Sequence, residues 1–177
     1  MLTADRLRKI VTYEPETGLF RWRDTFAAGK HAARRNKIAE PGDVVAGSRN
    51  QKLGYIYISI DGSVCLAHRL AWLYVHGELP KKGMVIDHID RDGFNNRLSN
   101  LRVCTESQNR CNSKMHSNNT SGHRGVSWHP QNREWRAAIW VNGRSFHSKT
   151  FKNIQDAIKW REEHAKQLHG EFASTAK

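Results

Sequence analysis

Between residues 84 and 112 the chain runs in an order that confines it to a small ββα unit. Met84-Val85-Ile86-Asp87-His88-Ile89 is a short run of strand-forming residues, and Asp90-Arg91-Asp92-Gly93-Phe94-Asn95-Asn96 is a polar loop. Leu101-Arg102-Val103-Cys104 is a second strand. Thr105-Glu106-Ser107-Gln108 has the spacing of a capping box, which predicts a helix beginning at Thr105 with Asn109 in its first turns. A compact strand, loop, strand and helix would gather Asp87, His88, Asn100 and Asn109 around one point.

That set has a chemistry. Hydrolysis of a phosphodiester needs a base to activate water and a cation to stabilise the charge on the phosphorus and the departing 3′-oxygen. Histidine suits the base role because its ordinary pKa lies near neutrality, so His88 is the candidate. Asp and Asn oxygens are hard donors that favour Mg²⁺ or Mn²⁺ over zinc, so Asp87 and Asn109 are candidate ligands of one divalent ion. The plainer alternative for His88 alone is an ordinary hydrogen-bonded pair with Asp87, and the ordered set of four is what favours catalysis. Asn100 read as a turn residue is compatible with a bracing role. His68 reads as a residue packed beneath the site. Asp90, Asp92 and Gly93 resemble part of a calcium loop, but a twelve-residue loop starting at His88 would end on Ser99, where that loop needs Glu.

His68-Arg69-Leu70-Ala71-Trp72, Asp87-His88-Ile89-Asp90, Asn95-Asn96-Arg97-Leu98-Ser99-Asn100-Leu101-Arg102 and Ser107-Gln108-Asn109, taken together, resemble the HNH endonucleases of phages and mobile introns. The resemblance covers about residues 55–115. It implies a ββα-metal fold in which His88 is the general base, Asp87 and Asn109 hold the metal, and Asn100 braces the loop and helps hold the base. Asn at the last motif position makes this an H-N-N variant.

The formal net charge is +12, with a sequence pI near 10.0, and the basic excess is spread along the chain rather than gathered in a tail. Such a charge points to a polyanionic partner, with double-stranded DNA first, because Lys and Arg gain affinity by displacing counterions from phosphates. Solubility charge is the bland alternative. Cys65, Cys104 and Cys111 include no C-x-x-C pair, which argues against a disulfide framework or a four-thiolate zinc site. No apolar run reaches membrane-spanning length, and the N-terminus has no signal-peptide core. The expectation is a reducing, cytoplasmic setting, with no membrane and no small-molecule cofactor; the resemblance to phage endonucleases implies a bacterial host during phage infection.

Flanking the central unit, residues 1–54 read as short strands and turns. Thr12 to Trp22 has a hairpin pattern, and Arg34 and Arg35 lie in a basic loop available to DNA. Gly54 to Ile60 is a strand ending at an Asp61-Gly62 turn, and Ala67 to His76 is a helix closed by Gly77. Residues 116–122 form a Ser/Asn-rich linker. Beyond it, strands are expected over 125–129, 135–141 and 144–151, with an Asn142-Gly143 turn between the last two. A helix follows from Ile154 to His169, capped by Asn153 and ended by Gly170. Alternation on the middle strand puts Trp135, Ala137 and Ile139 on one face and Arg136, Ala138 and Trp140 on the other. One helix covers one face, so Arg136 and Trp140 are left for DNA, with Arg144 and Lys149 as further donors. The alternative is a solvated basic face with an incidental Trp.

Ser121 to Trp128, Trp135 to Ile139 and Thr150-Phe151 with the last helix are similar to the APETALA2/ethylene-response-factor DNA-binding domain. That resemblance implies a sheet laid in the major groove and gives Arg124 a DNA contact. It departs from the plant pattern near Ser127 and His129, where basic residues are expected.

The expected fold class is therefore α+β. A central ββα-metal (HNH) nuclease fold (55–115) is preceded by a small β-rich segment (1–54) and followed by a three-stranded antiparallel sheet packed on one helix (123–177). The expected activity is phage-type homing cleavage by a monomer or weak dimer, leaving 5′-phosphate and 3′-hydroxyl ends. A DNA-binding regulator with a decayed nuclease fold and an RNA-processing protein are the rival readings.

Overall fold

A computed structural model describes residues 2–23, 43–45, 47–113, 118–141 and 144–172. The chain divides into two compact units, residues 1–104 and 105–177. Its class is mixed α+β, with antiparallel sheets and, among the described residues, four α-helices.

The first unit opens with helix α1 (Ala4–Ile10), which the sequence reading did not anticipate. Thr3 caps it by accepting a hydrogen bond from the Arg6 amide, and Ala4, Leu7 and Ile10 are buried. The N-cap residue is the one local signal for this short helix. Strands β1 (Val11–Glu14) and β2 (Leu19–Trp22) form the expected hairpin, with Tyr13 opposite Phe20.

Strand β3 (Ser48–Asn50), also unforeseen, pairs antiparallel with β4 (Tyr55–Ile60), and β4 pairs with β5 (Ser63–Leu66). Asp61 (φ 50°) and Gly62 (φ 78°) turn the β4–β5 hairpin, the paired positive φ that a two-residue turn of this twist requires. Helix α2 (Ala67–His76) ends as expected at Gly77, whose φ of 82° lets its N–H reach the Leu73 carbonyl. Strands β6 (Met84–His88) and β7 (Leu101–Thr105) form a two-stranded sheet. The core of this unit joins α1, both N-terminal strands, β4 and α2 through Leu7, Ile10, Val11, Phe20, Ile60, Leu70 and Ala71, each at most 2% exposed.

The second unit contains helix α3 (Glu106–Asn112), entered through the expected capping box: Thr105 accepts from the Gln108 amide while the Gln108 side chain accepts from the Thr105 amide. Strands β8 (Val126–His129), β9 (Glu134–Val141) and β10 (Arg144–Phe151) form an antiparallel sheet in the order β10-β9-β8. Helix α4 (Ile154–His169), capped by Asn153, covers one face of it. Val126, Ala137, Ala157 and Ile158 form that core, flanked by Trp135, Phe151 and Trp160. The expected Asn142-Gly143 turn and the basic loop with Arg34 and Arg35 lie outside the described residues.

Candidate active site

The site grows from the end of β6. That strand is exposed at Met84 and buried at Asp87 and His88, which are 6% and 5% exposed. Burying two titratable side chains side by side is costly unless each is engaged, and here each is. Arg102, on the neighbouring strand β7, sends Nε and Nη2 to the same Asp87 oxygen, each at 3.0 Å. With Arg102 only 14% exposed, this is a largely desolvated pair, and loss of the arginine would leave a buried charge at a cost of about 3–5 kcal/mol. The sequence reading assigned Arg102 no role. An acid on one strand and a base on its partner was the available signal.

After His88 the chain enters the polar loop, and Asn100 stitches that loop shut. Its Nδ2 donates to Asp90 Oδ1 (2.9 Å) and to the Asn95 carbonyl (2.8 Å), while its Oδ1 accepts from the Asp90 amide (3.0 Å). Asp90 also accepts from Asn95 Nδ2 (2.7 Å) and from the Asp92 amide (2.8 Å). Burial would raise the Asp90 pKa, but these hydrogen bonds to Asp92, Asn95 and Asn100 outweigh it and hold the carboxyl below its ordinary value. The loop is also pressed against β4. A Cβ on Gly93 would stand 2.0 Å from the Gly54 carbonyl oxygen, so only glycine fits there.

The His88 ring hydrogen-bonds through Nε2 to Asn96 Oδ1 at 3.3 Å. It meets the His68 ring edge-on, with centroids 5.0 Å apart, and Tyr55 lies within 6.0 Å of it and 5.4 Å of His68. Burial lowers the His88 pKa, against the pull of Asn96 and of Asp90, Asp87 and Asp92, so the ring is neutral at neutral pH. Burial, then His88 and Arg69, draw His68 down to about 3. The neutral His68 packs against the His88 ring, beneath the site as the sequence suggested.

Asp87, His88 and Asn100 are thus brought together at one end of the β6–β7 sheet. Asn109 is half-buried on α3 in the second unit. Among the described residues no three His, Cys, Asp or Glu side chains cluster as ligands. The donor at hand is the Asp87 carboxylate, a hard anionic oxygen of the kind that Mg²⁺ or Mn²⁺ takes alongside water. The donor chemistry fits such an ion.

The matching family model, described as HNH endonuclease, covers residues 65–111, which include Asp87, His88, Asn100 and Asn109. Protein 3.8 of Escherichia phage T7 is 34% identical over 106 residues, 60% of this chain and 86% of that protein. Residues 65–111 form an HNH endonuclease domain. A mimivirus relative from Acanthamoeba polyphaga mimivirus, called an uncharacterized HNH endonuclease, is 33% identical over 127 residues, 71% of this chain and 64% of that protein. A solved structure titled DNA binding and cleavage by the HNH homing endonuclease I-HmuI aligns over 90% of this chain and 85% of that one, at 18% identity and a TM-score of 0.40.

The second unit carries most of the other candidate residues. Arg136 and Trp140 point away from α4: Ala137 and Ile139, the alternate positions, are at most 1% exposed, whereas Trp140 is 56% exposed. Arg136 stands opposite Ser127 and Thr150, so the outward face is small and polar around it. Lys149 pairs with Ala137 and therefore lies on the α4 side of the sheet, its ammonium 5.4 Å from the Phe151 ring. Arg144 opens β10 opposite Val141. Arg124 turns inward to the end of α3, donating to the carbonyl oxygens of Arg110 (3.3 Å) and Ser113. Cationic donors at a helix C-terminus satisfy carbonyls that the helix leaves open. Cys65, Cys104 and Cys111 form no disulfide.

Proposed function

We propose that this chain is a metal-dependent DNA endonuclease of the phage homing type, which nicks or cleaves duplex DNA by hydrolysis and leaves 5′-phosphate and 3′-hydroxyl ends. The observation that carries this reading is a buried, neutral imidazole, His88, next in sequence to the buried Asp87 carboxylate at the end of one strand.

His88 takes the proton from the attacking water, a role that burial favours because it keeps the imidazole unprotonated at neutral pH. Asp87, held in one orientation by Arg102, and Asn109, by family resemblance, are the proposed ligands of one Mg²⁺ or Mn²⁺. That ion, when bound, supplies charge stabilisation at the phosphate and the leaving 3′-oxygen. Asn100 keeps the loop closed so that the base stays at the strand end. The C-terminal sheet and helix act as an APETALA2-like module that positions DNA, with Arg136 and Trp140 on the outward face and Arg144 as a further contact; Lys149, on the α4 side of the sheet, and Arg124, held at the end of α3, stand away from that face. Arg34 and Arg35 are proposed phosphate contacts of the basic loop. The proposed units of function are 55–115 for cleavage, 116–122 as linker and 123–177 for DNA binding. The chain works as a monomer or weak dimer in the host cytoplasm. One site cuts one strand, so a monomer nicks.

The test is a supercoiled-plasmid assay with Mg²⁺, with Mn²⁺ and with EDTA, run on the wild type and on His88→Ala. The expected result is metal-dependent nicking that falls by about 10²–10⁴-fold in the variant, while DNA affinity is kept. A variant that cuts like the wild type removes His88 as the base. A wild type that binds DNA and never cuts favours the regulator instead.

A further inference from the structure

Asp87 and Arg102 together carry no net charge. Arg102 brings Nε and Nη2 to Asp87 Oδ2, each at 3.0 Å, so one carboxylate oxygen takes two charge-assisted hydrogen bonds from one cation. The pair is largely out of water, with the Asp87 side chain 6% and the Arg102 side chain 14% exposed, so salt and solvent screen it weakly. Strand alternation explains the placement: Leu101 is buried in the core of the first unit, and Arg102, next along β7, faces the other way.

The neighbouring carboxylates do not restore the balance. Asp90 Oδ1 accepts from the Asp92 amide and from Asn100, and its Oδ2 accepts from Asn95. Asp92 Oδ1 accepts from the Phe94 amide. Both residues are exposed, so water screens their charge. Asn109, the other proposed ligand, is uncharged. A dication entering beside Asp87 therefore meets a carboxylate whose charge a fixed guanidinium already balances. Mg²⁺ in such circumstances is held by one or two carboxylates together with phosphate oxygens of the substrate.

We infer that Arg102 ties metal binding to DNA binding: by balancing Asp87 it keeps the affinity of the free protein for a divalent ion low, and the negative charge that completes the site comes from a phosphate of the duplex. This rests on Asp87 being a metal ligand in a DNA endonuclease, and adds what sets the affinity of the ion. With Arg102 in place, the dication and the guanidinium repel one another in a poorly screened setting, and the phosphate relieves that repulsion. Without Arg102 the carboxylate offers its full charge, and the ion no longer depends on the phosphate. Coupling of this kind is reciprocal, so ion and duplex each raise the affinity for the other by the same factor.

The test is a Mn²⁺ titration of the full chain carrying His88→Ala, which keeps the duplex intact. Free Mn²⁺ is read from its paramagnetic resonance signal, with and without a saturating mixed-sequence duplex, and the ions held by the duplex alone are subtracted. The duplex is expected to tighten Mn²⁺ binding by about 5–150-fold. Arg102→Gln in the same background is expected to bind Mn²⁺ about 10-fold more tightly without DNA, and to gain little from the duplex. Arg102→Lys, which restores the charge, is expected to restore the coupling. Equal Mn²⁺ affinity with and without duplex in the chain that retains Arg102 overturns the inference, even if Arg102→Gln does not fold. So does a folded Arg102→Gln with affinity and coupling unchanged. Asp87→Asn separates this from the reading beneath it. If that variant binds Mn²⁺ like its parent, Asp87 is no ligand and the metal assignment itself fails. If it loses Mn²⁺ while its parent is indifferent to duplex, only the role of Arg102 fails.

Discussion

Acid should destabilise the first unit through His68, and the size of the effect follows from its burial. His68 is 7% exposed between Tyr55 and His88, and its pKa falls from 6.5 to about 3. Unfolding returns the ring to water, where it binds a proton below pH 6.5. Between the two values the unfolded chain therefore holds more protons than the folded one, so stability drops as pH falls through that window. The linkage relation gives a loss of about 2 kcal/mol at pH 5 and about 3 kcal/mol at pH 4 relative to neutral pH. Against the roughly 5–15 kcal/mol of an ordinary domain, that is a large share. The comparison protein is His68→Phe, which keeps an aromatic ring and removes the titrating group. Urea unfolding at pH 7 and pH 5, followed by the amide signals of Ile58 and Ile60 on β4, reads out the first unit alone. Wild type should lose about 2 kcal/mol more than the variant over that interval. Parallel losses in the two proteins would refute the claim that His68 is held neutral by desolvation.

Two further outcomes are expected. Gly18→Ala should destabilise by about 2–5 kcal/mol in urea unfolding, combining positive-φ strain with the clash against Asn96, whereas Gly62→Ala, equally positive in φ but facing open space, should cost only about 1–2 kcal/mol. Arg136→Ala should weaken duplex binding and reduce the slope of log affinity against log salt by about 1, as one lost phosphate contact would; an unchanged slope in filter-binding assays would remove Arg136 from the DNA surface.

Much of the chain was legible because its signals are local. The capping box at Thr105 and Gln108, the Asp61-Gly62 turn, the Gly77 stop and the caps of α4 each depend on residues within one turn of the backbone. The alternation on β9 likewise sorted Ala137 and Ile139 from Arg136 and Trp140, since strand geometry sends neighbours to opposite faces. Helix α1 was missed because a seven-residue helix has too few turns for periodicity to stand out, and most of its stability comes from burying Leu7 and Ile10 against the rest of the unit.

By itself, then, the sequence determined which chemical groups are present at the centre, in what order, and on what kinds of element. It could name Asp87, His88 and Asn100 because a motif is a pattern of spacing, and spacing survives without coordinates. Tertiary structure alone decided which side chains meet these groups: Arg102 on Asp87, His68 and Tyr55 around His88, and Asn96 on its ring with Tyr13, 83 residues earlier, behind it. The physical reason is that hydrogen bonds and desolvation act over a few ångströms of space, whereas sequence reading measures distance along the chain, and packing in the core is what brings one to bear on the other.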